Sequence, residues 1–151
     1  MKSVRIINRT RDSVLGSRVG LADGWWLRVR GFLRRPEPQH GEGLLLSPCR
    51  AVHMIGMAYP LDVIFLDRHG RVVAQYANLA PGKSTSWHAR AKYALELPKG
   101  TIVASQTQPG DHVVWLMAET EFIAEKPVEK PAGEAAGGSP QSLRTGATTH
   151  R

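Results

Sequence analysis

One cysteine in 151 residues, Cys49, leaves no partner for an intramolecular disulfide. Long apolar runs are missing as well: charged or turn residues interrupt even the stretch from Ala51 to Leu66, so no membrane span is expected. The opening MKSVRIINRTRD has no apolar stretch of secretory length, and with the solitary cysteine this predicts a reducing, cytoplasmic setting. Catalytic and nucleotide signatures are absent too. PGKST and GDHVV lack the flanking glycines of a phosphate loop, and neither a Gly-x-Ser-x-Gly elbow nor a dinucleotide fingerprint occurs. Cys49 and His53 have no second closely spaced Cys/His pair to complete a structural zinc site, and His40, His69, His88, His112 and His150 are scattered. No cofactor and no metal are expected.

What is present fits one small domain. With 42% apolar residues in 16.6 kDa, the chain has enough material for one core. From Lys126 the composition shifts to KPVEKPAGEAAGGSPQSLRTGATTHR, too poor in large apolar side chains to offset its ordering entropy. The expected division is a β-rich domain over residues 1–124 and a disordered Pro/Gly/Ala/Ser-rich tail over 125–151. The net charge of +7 is concentrated at the front, where residues 1–35 hold nine Lys/Arg against Asp12 and Asp23. Such asymmetry suits an anionic partner, nucleic acid included, and equally suits a solvated basic face.

Short apolar runs with turn punctuation predict a mainly β fold, a compact sandwich or barrel-like domain: SVRIIN, SVLGSRVGL, LLLS, CRAVHMIGM, LDVIFLD, RVVAQY, YALELP, TIVAS and HVVWLM. One amphipathic N-terminal helix is expected in ADGWWLRVRGFLRRP. Asp23 is its candidate N-cap, Trp25, Trp26, Val29, Phe32 and Leu33 form one stripe at about 100° per residue, and Pro36 ends it. Gly31 inside that helix suggests close packing of its backbone. In Leu61–Asp67 alternate residues are apolar on both faces, the pattern of an internal strand. DRHG then reads as a hairpin turn, with Asp67 bonding its own backbone and Gly70 supplying a left-handed residue.

The order WLRVRGFLRRP, GEGLLL, HMIGMAYPLDVIFLDRHGRVV, YALELPKG and PGDHVV resembles the bacterial and archaeal domain of unknown function 192 family, from about Val4 to Leu116. Its most specific positions here are Met57, Pro60, Asp62, Phe65, Asp67 and Gly70, supported by Glu96, Gly100, Gly110 and Asp111. The resemblance implies a small, mostly β domain with one helix, and no reaction. Many relatives carry an export signal, which this chain is expected to lack.

Asp62 lies in an apolar strand, where an unpaired charge is costly, so it needs a partner. The structural expectation is an ion pair with Arg28 or Arg30 that fixes the helix on the sheet. The functional alternative has Asp62 and Glu96 converging as an acid/base pair, with Cys49 or His53 alongside, in a hydrolase-like site. Cys49 and His53 stand four apart, a spacing that suits an inert core pair, a metal or an activated thiol. The loop LAPGKSTSWHARAK is long, basic and aromatic, and its Trp87 either packs on the core or stacks a ligand. The leading expectation is a non-catalytic binding or accessory domain. Its groove would lie near His53, Met57, Asp62 and the Trp87 loop, with Glu96 close by, for an unknown small molecule or protein partner. Nucleic-acid binding through the basic N-terminal third is the remaining alternative.

Overall fold

The computed structural model describes residues 2–22 and 35–117. They form seven strands and one short helix: β1 (Ser3–Asn8), β2 (Ser13–Ala22), β3 (Glu42–Leu46), β4 (Leu61–Leu66), β5 (Val72–Leu79), β6 (Tyr93–Pro98), α1 (Thr101–Ser105) and β7 (Val113–Met117). The strands hydrogen-bond into one sheet in the order β5-β4-β6-β3-β2-β1-β7, antiparallel except for the parallel β2·β3 pair. The sheet curls into a half-barrel, and at one end its two edges meet. There the amide of Val72 donates to the Asp111 carbonyl, Gly110 donates to Val72, and Val113 donates to Gly70. Gly70 is needed at that seam: its φ is +83°, and a Cβ would collide with the Val113 carbonyl oxygen.

Strand β4 organises the layers. Flanked by β5 and β6, it is buried at all six positions, as its two apolar faces require. Ile64 and Leu66 point into the curl with Val4, Ile6, Val19, Leu45, Leu95 and Leu97. Leu61, Val63 and Phe65 point outward into a second cluster with Leu44, Leu46, Val52, Met54, Tyr59 and Ala94. Burying each large apolar side chain contributes about 1.5–3 kcal/mol. The sheet is therefore held from both sides.

Asp62 belongs to the inner face and has no exposed surface. Opposite it, β5 carries one extra residue, and the bulge puts Asn78 at φ 54°. One carboxylate oxygen of Asp62 accepts the Asn78 amide at 2.8 Å and the other accepts the Ile102 amide at 2.8 Å. Ile102 is the second residue of α1, whose N-cap Gly100 has no side chain to offer. Asp62 thus supplies the missing cap from across the half-barrel and seats α1, with Ile102 buried, at the open end of the inner core.

A second buried polar knot closes the seam. The Asp111 carboxylate accepts bonds from the Asn8 side chain (3.0 Å), the Arg11 guanidinium (3.1 Å) and the Gln108 amide (3.0 Å), while Asn8 also donates to Thr107. Burial opposes ionisation of Asp111. The bonds from Asn8, Arg11 and Gln108, with the Arg11 charge, outweigh it and hold the carboxyl below its ordinary range.

Several sequence expectations change here. TIVAS is helix α1 rather than a strand, because Gly100 turns the chain with φ +90° and Asp62 caps the first turn, which are tertiary events that a five-residue apolar run does not announce. CRAVHMIGM is a loop with a single bridge at His53. The amphipathic N-terminal helix, with Arg28, Arg30 and Gly31, and the tail over 125–151 lie outside the described residues, so the mainly β description rests on the strands. Asp62 is hydrogen-bonded to two backbone amides, and the arginines expected beside it, Arg28 and Arg30, lie outside the described residues.

Two expectations follow. Asp62→Ala removes the acceptor of both amides and is expected to lower unfolding free energy by roughly 1–3 kcal/mol for the buried Ile102 amide, with a smaller loss from the part-buried Asn78 amide. Asp62→Asn, which keeps one acceptor oxygen, should fall between, and an unchanged urea midpoint for the alanine variant would contradict the role. For Asp111 the folded-state pKa lies below the ordinary 3.8, so its stabilisation is complete above that value and is lost as pH falls through the folded pKa. The acid limb of stability against pH should therefore be flatter in Asp111→Asn below about pH 4, and parallel limbs would overturn the assignment.

Candidate functional site

Two loops, 47–60 and 80–92, lie against each other on the outer face. Met54 donates its amide to Lys83 (2.7 Å), Gly82 to Met54 (2.8 Å), Thr85 to Val52 (2.9 Å) and His88 to Arg50 (2.9 Å), and His53 bridges Ser84. The first loop alternates like a strand. Val52 and Met54 are buried against the sheet, which turns Ala51, His53 and Ile55 outward. Met57 is half-buried at the end of this run.

Trp87 is held outward by its neighbours. The ring of His88 packs on Phe65 at 4.7 Å and its Nε2 shares a 2.8 Å hydrogen bond with the Tyr76 hydroxyl, which also accepts the Ser86 amide at 3.3 Å. With both flanking residues tied to the sheet, the indole is 69% exposed, and Ile55 on the facing loop is 64% exposed. An aromatic so displayed gives up burial that a core position would provide.

Beside Trp87 is a cleft of about 500 Å3 formed by three loops, lined by Arg50, Asp67, Arg68, His69, Arg90 and Lys92 over a floor of Pro48 and Ala91. Arg90 also borders a smaller depression of about 200 Å3 with Trp87 and His88. The cations are positioned by backbone bonds: Arg50 donates through Nε to the Ala89 carbonyl (3.2 Å), and Lys92 donates its amide to Leu66 (2.8 Å) while its ammonium sits 5.7 Å from the Tyr93 ring centroid. The carboxylate of Asp67 turns inward on its own hairpin, accepting the amides of His69 (2.8 Å) and Arg71 (3.0 Å). Its burial opposes ionisation, yet those two bonds and the charges of His69 and Arg71 hold its carboxyl below the ordinary range.

His53, Met57 and Trp87 thus share the outer loop layer, and Asp62 does not. Glu96 pairs with Val63 and Asp62 with Leu97 across the β4·β6 ladder, so the two carboxylates point to opposite faces of the sheet. A catalytic pair of Asp62 and Glu96 cannot form there. Glu96 lies buried under the outer face near Tyr59. Burial raises the phenol of Tyr59, the charges of Glu96 and Glu37 raise it further and Arg35 opposes them, while its hydroxyl donates to the carbonyls of Arg35 (3.0 Å) and Pro36 (3.1 Å). The thiol of Cys49 lies 3.2 Å from the Ala51 carbonyl, and among the described residues no three His, Cys, Asp or Glu side chains gather as a metal site. Two of the N-terminal cations are committed to ion pairs, Arg11 with Asp111 and Arg18 with Glu42. No helix among the described residues is long and apolar enough to cross a membrane.

The family model for domain of unknown function 192, described as an uncharacterized ACR, matches residues 6–115. The chain belongs to the domain of unknown function 192 family. Among its relatives, a UPF0127 protein of Thermococcus sibiricus is 32% identical over 128 residues, covering 82% of each chain. A UPF0127 protein of Thermococcus kodakarensis is 30% identical over 118 residues, covering 76% of this chain and 74% of the relative. A crystal structure of a protein of unknown function from Novosphingobium aromaticivorans superposes with a TM-score of 0.65 at 25% identity, over 75% of this chain and 84% of that one. In this member of the family the basic cleft is made by residues that no single motif contains. Arg90 and Lys92 flank the buried Ala91 at the two-residue spacing of one strand face, which is a local signal. Their convergence with Arg50 and Arg68 is a matter of tertiary structure alone.

Proposed function

We propose that this chain is a non-catalytic binding domain whose ligand-contacting surface is the outer loop layer carrying His53, Met57 and Trp87. The observation that carries the reading is the outward Trp87, held by anchored neighbours on a rigid sheet and 69% exposed. Loops on a stiff β scaffold are where binding residues concentrate, and an exposed indole offers a large contact area at small entropic cost. The buried, backbone-bonded Asp62 and the burial of Glu96 support a scaffold role for both rather than a place in the groove. On this reading the functional unit spans residues 1–124 in a cytoplasmic setting, with 125–151 as a tail beyond it.

The test is location rather than ligand identity. A panel of nucleotides, oligosaccharides, oligonucleotides and divalent metals is titrated into isotope-labelled protein, and amide shift changes are mapped. Changes are expected to cluster on residues 49–57 and 82–92. Trp87→Ala and His53→Ala should abolish them while moving the unfolding free energy by less than about 0.5 kcal/mol, as for other exposed positions. Shifts that map to the β1·β2 surface, or variants that unfold, would overturn the reading.

A further inference from the structure

The outer loop layer adjoins a concentration of positive charge that the binding reading alone does not explain. Arg50, Arg68, Arg90 and Lys92 come from three separate loops and line one cleft together with His69, and among the described residues Asp67 is the only acidic side chain in the lining. Among the described residues none of these four cations forms an ion pair; the ion pairs present belong to Arg11 and Arg18. Asp67, whose carboxyl is held in its ionised form, offsets one of these four charges and leaves the lining net positive. Like charges gathered on a surface repel one another and persist there at a cost, unless an anion is present to offset it.

Resting on that binding reading, we propose that the cleft and Trp87 together bind a segment of single-stranded nucleic acid, with phosphodiesters along the cleft and a base stacked on the indole. Arg90 lines the cleft and also borders the Trp87 depression, so charge and aromatic face are continuous. A basic groove next to an aromatic platform is the arrangement that holds a single strand without reading its sequence, since every base has a face to stack. A duplex keeps its base faces covered and cannot use Trp87. A free nucleoside triphosphate is poorly served, because the donors are long side chains spread over three loops, and the amides of His69 and Arg71 at the hairpin already serve Asp67.

The experiment uses the full chain and a fluorescein-labelled twelve-residue oligothymidylate, followed by anisotropy at several salt concentrations. Affinity is expected to fall with salt at a log–log slope of about −1.4 to −2.1, for two to three phosphates at about 0.7 each. Arg68→Glu and Arg90→Glu, both exposed and both expected to melt like the parent, should each weaken binding and flatten the slope by about 0.7. Trp87→Ala should weaken binding about ten-fold and Trp87→Phe much less, as loss of one stacked base implies. Competition separates the sources of negative charge. Unlabelled oligothymidylate should displace the probe, whereas polyglutamate or ATP displacing it equally well at the same charge concentration would overturn the strand assignment. Absence of binding at low salt, or binding indifferent to Arg90 and Trp87, would also overturn it. If another ligand from the panel still maps to residues 49–57 and 82–92, the binding-domain reading survives that failure.

Discussion

One buried carboxylate holds the parts of this domain in register. Asp62 is completely enclosed, and its two oxygens take the amide of a bulge in β5 and the amide that opens α1. Each of those amides lacks a partner in its own element: the bulge removes Asn78 from the ladder, and Gly100 has no side chain to cap the helix. Left unbonded, the buried Ile102 amide would carry a full desolvation cost, and the part-buried Asn78 amide a smaller one. The bulge, the helix plug and the acidic residue are therefore joined at one carboxylate on the inner face of the sheet.

Fixing the inner face leaves the outer face available for display. Phe65, on the opposite side of β4 from Asp62, is the surface on which His88 packs, and His88 together with Tyr76 sets the attitude of the Trp87 segment. The chain of causes runs from a carboxylate on one face, through a strand with no exposed residue, to an indole on the other. Backbone bonds between 49–54 and 82–92 order both loops, so the proposed binding would cost little further loop entropy. The cations of the cleft sit at the rim of this ordered layer, and the same hydrogen bonds that shape the loops set their spacing.

Much of the scaffold was legible in the sequence. Alternation in Leu61–Leu66 announced an internal strand with two apolar faces, and Asp67 with Gly70 announced the hairpin, because both are local patterns with a local physical cause. The parity of β4 also placed Asp62 with Ile64 and Leu66. What parity in one strand cannot give is the register with another, and register alone puts Glu96 beside Val63 and so on the far face. The helix over Thr101–Ser105 was misread because five apolar residues have no resolvable period and their cap comes from 40 positions away. Trp87 in a basic loop was visible as a ligand-stacking candidate; the cleft beside it was not, since Arg50, Arg68 and Arg90 meet only after three loops have been placed.

Native-state hydrogen exchange of individual amides tests the central claim most directly. If Asp62 ties α1 and the β5 bulge into the core, the amides of Ile102 and Asn78 should exchange only through global unfolding, with the same free energy as the amides of β4 and the same response to denaturant. Exchange of Ile102 and Asn78 through local opening, several kcal/mol below the β4 amides, would show that the carboxylate does not hold these elements and would contradict the account.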